Sequence, residues 1–242
     1  MSGLVSVAVL LVLAAQSADM RRVTVTARWS ADSLSKAAGP PEEHGTWAER
    51  LDATVTLDAP APVLPGGPFA SRPGPRMIGL LPGGSAMPAN LHVVSATLTG
   101  SVEGRLNVAD KGSCDQTAAY QPGDVVAQGG GNLELDALFI YFNGDSLVGL
   151  LITARPLPVR TKTTTACGST QSDEDRTLTA AFGTPLVARA DPGTWTARVT
   201  RTPTGYTGTA RSEWKETLDQ AGETHLVREL TFTIEIASRA RR

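Results

Sequence analysis

NLELDALFIYFNGDSLVGLLITA, residues 132–154, decides the fold. Two apolar runs flank Asn143-Gly144-Asp145, and Asn-Gly supplies the two positive-φ residues that a tight type I′ turn needs. Before the turn, Leu133, Leu135, Ala137, Phe139 and Tyr141 alternate onto one face of a strand. The other face opens with Glu134 and Asp136, then turns apolar at Leu138, Ile140 and Phe142. That changeover predicts a strand that starts half-exposed and ends buried on both sides. The second arm, Leu147 to Ala154, is apolar nearly throughout. The hairpin is therefore expected at the centre of the core.

Two cysteines, Cys114 and Cys167, bracket this hairpin. In an oxidising compartment an even pair reads as one disulfide, here joining the loop before the hairpin to the strand after it. Export is suggested by the opening of the chain. The uncharged run Leu4 to Ala15 is too short to span a bilayer but fits a signal-peptide h-region, and small residues follow it as far as Ala18. Residues 1–18 are read as that signal peptide, with a buried N-terminal strand as the alternative. No later stretch is long and apolar enough to cross a membrane as a helix. The expected destination is secreted or periplasmic, with no membrane span in the mature chain.

Residues 19–242 read as a single β domain. Arg22 to Ser30 places Val23, Val25, Ala27 and Trp29 on one face against Thr24, Thr26 and Arg28, a half-buried strand. Thr46 to Leu57 ends the same way, although its first half would also suit a helical turn. Residues 58–90 differ in kind. They hold eight of the sixteen prolines, and proline lacks the donor that a sheet ladder needs. This stretch is a long Pro/Gly-rich connection, with a short strand over Met77 to Leu81. Leu91 to Asp110 reads as one long strand or a hairpin turning near Gly100. The central hairpin closes at Pro156 and Pro158, and two Thr-rich strands follow around an acidic turn at residues 172–175. Three more strands, Thr194–Arg201, Gly205–Leu218 and His225–Ser238, complete the chain, and echoes of sequence place the terminal strands in one sheet. About ten strands with no long helix mean an all-β fold, an antiparallel β-sandwich or alternatively a β-barrel.

A net charge of −2 argues against nucleic acid as a partner, since such binders carry a basic stripe. Gly144-Asp145-Ser146-Leu147, preceded by an apolar strand, resembles the nucleophile block of the GDSL (SGNH) esterases. The resemblance implies Ser146 as a nucleophile supported by backbone amides at a helix start. The family's later Gly-x-Asn-Asp and Asp-x-x-His blocks are absent, and a hairpin turn explains the same four letters. His44, His92 and His225 have no metal-ligand spacing, and no cofactor motif is present. Trp29, Trp47, Trp195 and Trp214 all lie in the terminal segments. Flat aromatics on a sheet face stack sugars in many carbohydrate-binding modules, whereas a large β core also needs bulky residues. The chain thus reads as a binding or structural module rather than an enzyme, its partner a polysaccharide or another surface protein; the alternatives are a carbohydrate-binding module, a secreted GDSL-like esterase and a subunit of a cell-surface assembly.

The cysteine pairing has a direct chemical test. Thiol titration of the denatured, unreduced protein is expected to find no free thiol. Closing a loop of about fifty residues should then stabilise the oxidised form by roughly 4 kcal/mol. Two titratable thiols would refute the bridge.

Overall fold

Strict alternation of Val, Ala and Trp with Thr and charged residues forces extended chain, because only a period of two puts one set of side chains on one side. The computed structural model describes residues 19–36, 42–65, 75–81, 86–109, 116–119, 133–165, 168–183, 194–218 and 222–238. The signal-peptide expectation, on residues 1–18, and the disulfide expectation, on Cys114 and Cys167, fall outside them. In chain order the elements are β1 (Met20–Lys36), β2 (Glu42–Pro60), a 3-10 turn (Ala61–Val63), β3 (Pro75–Leu80), β4 (Ala86–Met87), β5 (His92–Ala109), β6 (Gln116–Ala119), β7 (Glu134–Asn143), β8 (Ser146–Thr165), β9 (Gly168–Phe182), β10 (Thr194–Thr202), β11 (Gly205–Leu218) and β12 (Gly222–Ser238). Thus the Pro/Gly-rich stretch contains the end of β2, the 3-10 turn, β3 and β4.

Two six-stranded antiparallel sheets result, as the sandwich reading expects. The first runs β10-β11-β12-β1-β2-β5, so the terminal strands β1 and β12 are neighbours. The second runs β4-β3-β7-β8, with β9 along one side of β8 and β7 then β6 in succession along the other. Pairing overrides local ambiguity. β2 is extended from Glu42 onward because β1 and β5 flank it, and β5 passes Gly100 as one strand.

The inner faces form one apolar cluster spanning both sheets, with Val25, Leu57, Ile140, Phe142, Leu150 and Ile152 fully buried. Aromatic pairs bridge the layers: Phe182 of β9 stacks on Phe232 of β12 at 5.0 Å, and Phe142 of β7 meets Tyr206 of β11 at 5.8 Å. The outer face of the first sheet is polar. One cross-strand row consists of Thr200, Thr207, Thr233, Thr26, Thr54 and Thr97, one from each strand and all exposed. A membrane barrel would turn an apolar band outward; this sheet turns hydroxyls outward. Among the described residues no helix is long and apolar enough to cross a membrane.

The central hairpin is at the core but differs from expectation in four details. First, β7 does not keep one parity. Leu135 pairs with Ala154 and Ala137 with Thr153, so Asp136 is the extra residue of a bulge. Leu133 and Leu135 therefore share the inner face with Leu138, Ile140 and Phe142, while Ala137, Phe139 and Tyr141 turn to the other side. Arg155 holds the bulged Asp136 at 2.5 Å.

Second, the turn is Gly144-Asp145, since Asn143 pairs with Ser146. Only Gly144 has positive φ, at +59°, the mark of a type II′ rather than a type I′ turn. Third, β8 does not stop at its prolines. Pro156 lies in a bulge, and Pro158 lies where β8 pairs with β9 alone, so the missing donors break no ladder on the β7 side. Fourth, Asp173, Glu174 and Asp175 are inside β9 opposite Arg160, Val159 and Pro158, not in a turn.

A Cβ on Gly144 would meet nothing within 4 Å, so the backbone alone sets the cost of replacing it. Gly144→Ala is expected to destabilise by about 1 kcal/mol, the left-handed penalty for a residue with a Cβ, and Gly144→Asn by less. Urea denaturation midpoints check this. A neutral Ala substitution would mean the turn is not held as described.

Candidate functional site

The four tryptophans share one parity and therefore one side of the first sheet. Register puts Trp29 opposite Leu51 and Leu230, Trp47 opposite Ser33 and Gly104, Trp195 opposite Ser212, and Trp214 opposite Leu226. All face inward. Trp29 is 3% exposed and packs against Trp195 at 5.9 Å, so it is core and not a sugar-stacking surface. Trp195 also lies under the Arg228 guanidinium at 5.1 Å, itself bonded to the Ser212 hydroxyl at 3.3 Å. Trp214 is half-buried.

Trp47 reaches a cleft. A hollow of about 660 Å³ opens at the far end of the first sheet, with Leu34, Ala48 and Val227 as its apolar floor. Asp32, Glu103 and His225 ring it, and Trp47 borders it from the opposite parity. Two neighbouring cross-strand rows build the floor. Asp32 stands between Val227 and Ala48, and Ala48 faces Glu103; Leu34 stands between His225 and Thr46. The Trp47 ring lies on the backbone of Gly104, where a Cβ would come within 2.7 Å of it. Its indole N–H donates to Glu49 at 2.9 Å, and Arg176 from the second sheet covers its ring at 4.6 Å.

Electrostatics differ around the rim. Asp32 accepts a hydrogen bond from Arg50 at 2.7 Å. Glu103 has no ion-pair partner among the described residues. The His225 ring nitrogen Nε2 is 2.9 Å from Glu213, which Arg211 and Lys215 also approach, at 3.4 and 3.9 Å. The hydrogen bond with His225, followed by that from Arg211, holds the Glu213 carboxyl below the usual carboxylate range. A rim of this kind can hold the polar head of a ligand whose body lies on Leu34 and Val227.

Sequence reasoning missed Leu34, Val227 and the His225–Glu213 pair. The signal was present as a break in phase. Outward positions of β1 read Thr24, Thr26, Arg28, Ser30 and Asp32, and then apolar Leu34, which is 53% exposed.

The esterase-like block is the hairpin turn. The Tyr206 hydroxyl donates to the Asp145 carbonyl at 2.6 Å, Arg201 pairs with its carboxylate at 3.0 Å, and Arg76 donates to the Gly144 carbonyl. Tyr206 stands opposite Ile234, and from there to His225 is a run of β12 roughly 30 Å long at ~3.3 Å per residue. His44 pairs with Lys36 at that same distant end. Among the described residues no group of three His, Cys, Asp or Glu gathers as metal ligands do.

No protein-family model matches the chain, and no curated protein sequence matches it. Among solved structures the chain is similar to the crystal structure of Ail, the attachment invasion locus protein of Yersinia pestis, in complex with the heparin analogue sucrose octasulfate. Identity is 9%, with 88% of this chain and 99% of that chain covered at a TM-score of 0.15. At that TM-score the likeness carries no argument about fold or function.

Because the folded-state Glu213 is a stronger acid than in the unfolded chain, its contribution to stability is full above about pH 4.3, the free Glu value. It is lost as pH falls through the lower folded value. Glu213→Gln should therefore flatten this part of the acid-side decline in urea midpoint. Parallel declines in variant and parent would exclude the cluster from acid stability.

Proposed function

We propose that the chain is an exported, β-rich binding module whose small ligand seats in the cleft over Leu34 and Val227. The observation that carries this reading is the cleft itself. Its volume lies within the range of roughly 300–1,000 Å³ common to ligand sites, and its make-up is the usual one of apolar floor and few polar groups. Leu34, 53% exposed, forms with Val227 and Ala48 an apolar patch on a face otherwise rich in threonine and charge. Glu103, a rim carboxylate with no ion-pair partner among the described residues, favours a ligand with an apolar body and a cationic or hydrogen-donating head. Export to the periplasm or beyond rests on the h-region at residues 4–15, and the disulfide expected between Cys114 and Cys167 would accord with it.

A carbohydrate is the second reading, narrowed now to Trp47, the tryptophan that borders the cleft. Its ring already carries Arg176, which leaves less aromatic face for a sugar than free stacking needs.

Hexylamine and hexanoate, matched in length and opposite in charge, separate these ideas by calorimetric titration. Hexylamine is expected to bind and hexanoate to bind on the order of tenfold more weakly, with Leu34→Arg abolishing both. Equal binding of the two, or binding untouched by Leu34→Arg, defeats the cleft reading. Chitohexaose binding that Trp47→Phe removes and Leu34→Arg spares would establish the carbohydrate alternative in its place.

A further inference from the structure

β10 is the outermost strand of the first sheet, and among the described residues nothing pairs with its open side. Every second residue of such a strand turns its N–H and C=O outward. Natural proteins blunt edges of this kind with short strands, proline, bulges or charge. Two strands of the second sheet show those devices. β4 is two residues long and runs into Pro88, and β9 carries Glu174, Asp175 and Arg176 in succession. β10 has nine residues, no Pro or Gly, and unbroken register with β11 from Thr194 to Thr202.

Its side chains are as open as its backbone. On the inner parity Trp195 and Val199 are half-buried and Ala197 is exposed, although Ala197 continues the buried row through Ala210 and Leu230. Among the described residues the apolar layer therefore ends uncovered at this edge. The strand has two charges, both positive. Arg201 is tied to Asp145 at 3.0 Å, while Arg198 is exposed with no ion-pair partner among the described residues.

We propose that β10 accepts an extended segment of a partner protein as an added strand, with an acidic side chain opposite Arg198 and apolar ones beside Ala197 and Val199. Main-chain hydrogen bonds supply affinity in such strand addition, and alternate side chains supply selectivity. A second copy of this chain fits less well. Full antiparallel overlap of two β10 strands sets Arg198 directly against its own counterpart, and like charges in that position destabilise a pair. The edge lies apart from the cleft on β5, β2, β1 and β12, so the two proposals stand or fall separately.

A labelled nine-residue peptide with Thr at odd positions, Val at even positions and Glu at its centre is the probe, against the same peptide centred on Lys. Fluorescence anisotropy with the full chain should show the Glu peptide binding at least about tenfold more tightly. Arg198→Glu, whose side chain is exposed and whose fold circular dichroism can verify, should reverse the preference. Equal affinity for both peptides, or binding of neither, overturns the proposal. A concentration-dependent dimer in sedimentation would assign the edge to a second copy and overturn it as well.

Discussion

The contact between the two inner faces is the constraint on which the rest depends. Phe182 on Phe232 and Phe142 on Tyr206 join strands that are distant in sequence and belong to different sheets. Each such side chain contributes about 2 kcal/mol of burial, and the ring pairs add a geometric preference to it. For these rings to meet, β7 and β9 must present them at the right parity. The Asp136 bulge performs that adjustment in β7, resetting the alternation so that Leu135 and Leu138 fall on one side. The hydrogen bond of Tyr206 to the Asp145 carbonyl then fixes the hairpin turn against β11.

Packing of that kind also explains the fate of the tryptophans. All four share the inner parity, where the sandwich is deepest at Trp29 and shallower toward Trp47, Trp195 and Trp214. Where the two layers separate, guanidinium groups replace apolar partners: Arg228 covers Trp195, and Arg176 crosses from the second sheet to Trp47. Such pairs bury aromatic area without a purely apolar neighbour. The cleft opens beyond this boundary, on the outward side of the same strands. There Leu34 and Val227 interrupt an otherwise hydroxyl- and charge-bearing surface.

The candidate site was legible only in fragments. His225 and Leu34 are far apart in sequence, and an isolated histidine carries no spacing to interpret. The β1–β12 register brings them face to face. A careful parity count along β1 would have flagged Leu34, but nothing local shows that Val227 and Ala48 extend its patch across three strands. The esterase-like block shows the converse. Four letters that suit a catalytic elbow are used here as a II′ turn, because Gly144 supplies the one positive φ that the hairpin needs.

The sequence by itself determined an all-β antiparallel chain, the inner and outer sets of most strands, the central place of the β7–β8 hairpin and the adjacency of β1 and β12. Those follow from period-two patterning, which is local and survives any arrangement of partners. Tertiary structure decided the parity switch at Asp136, the turn type, the passage of β8 through its prolines, the burial of Trp29 and the cleft over Leu34. Each of these depends on which backbone lies alongside. A bulge, an accommodated proline or a cross-strand patch is a property of a pair of strands, and no single strand encodes its neighbour.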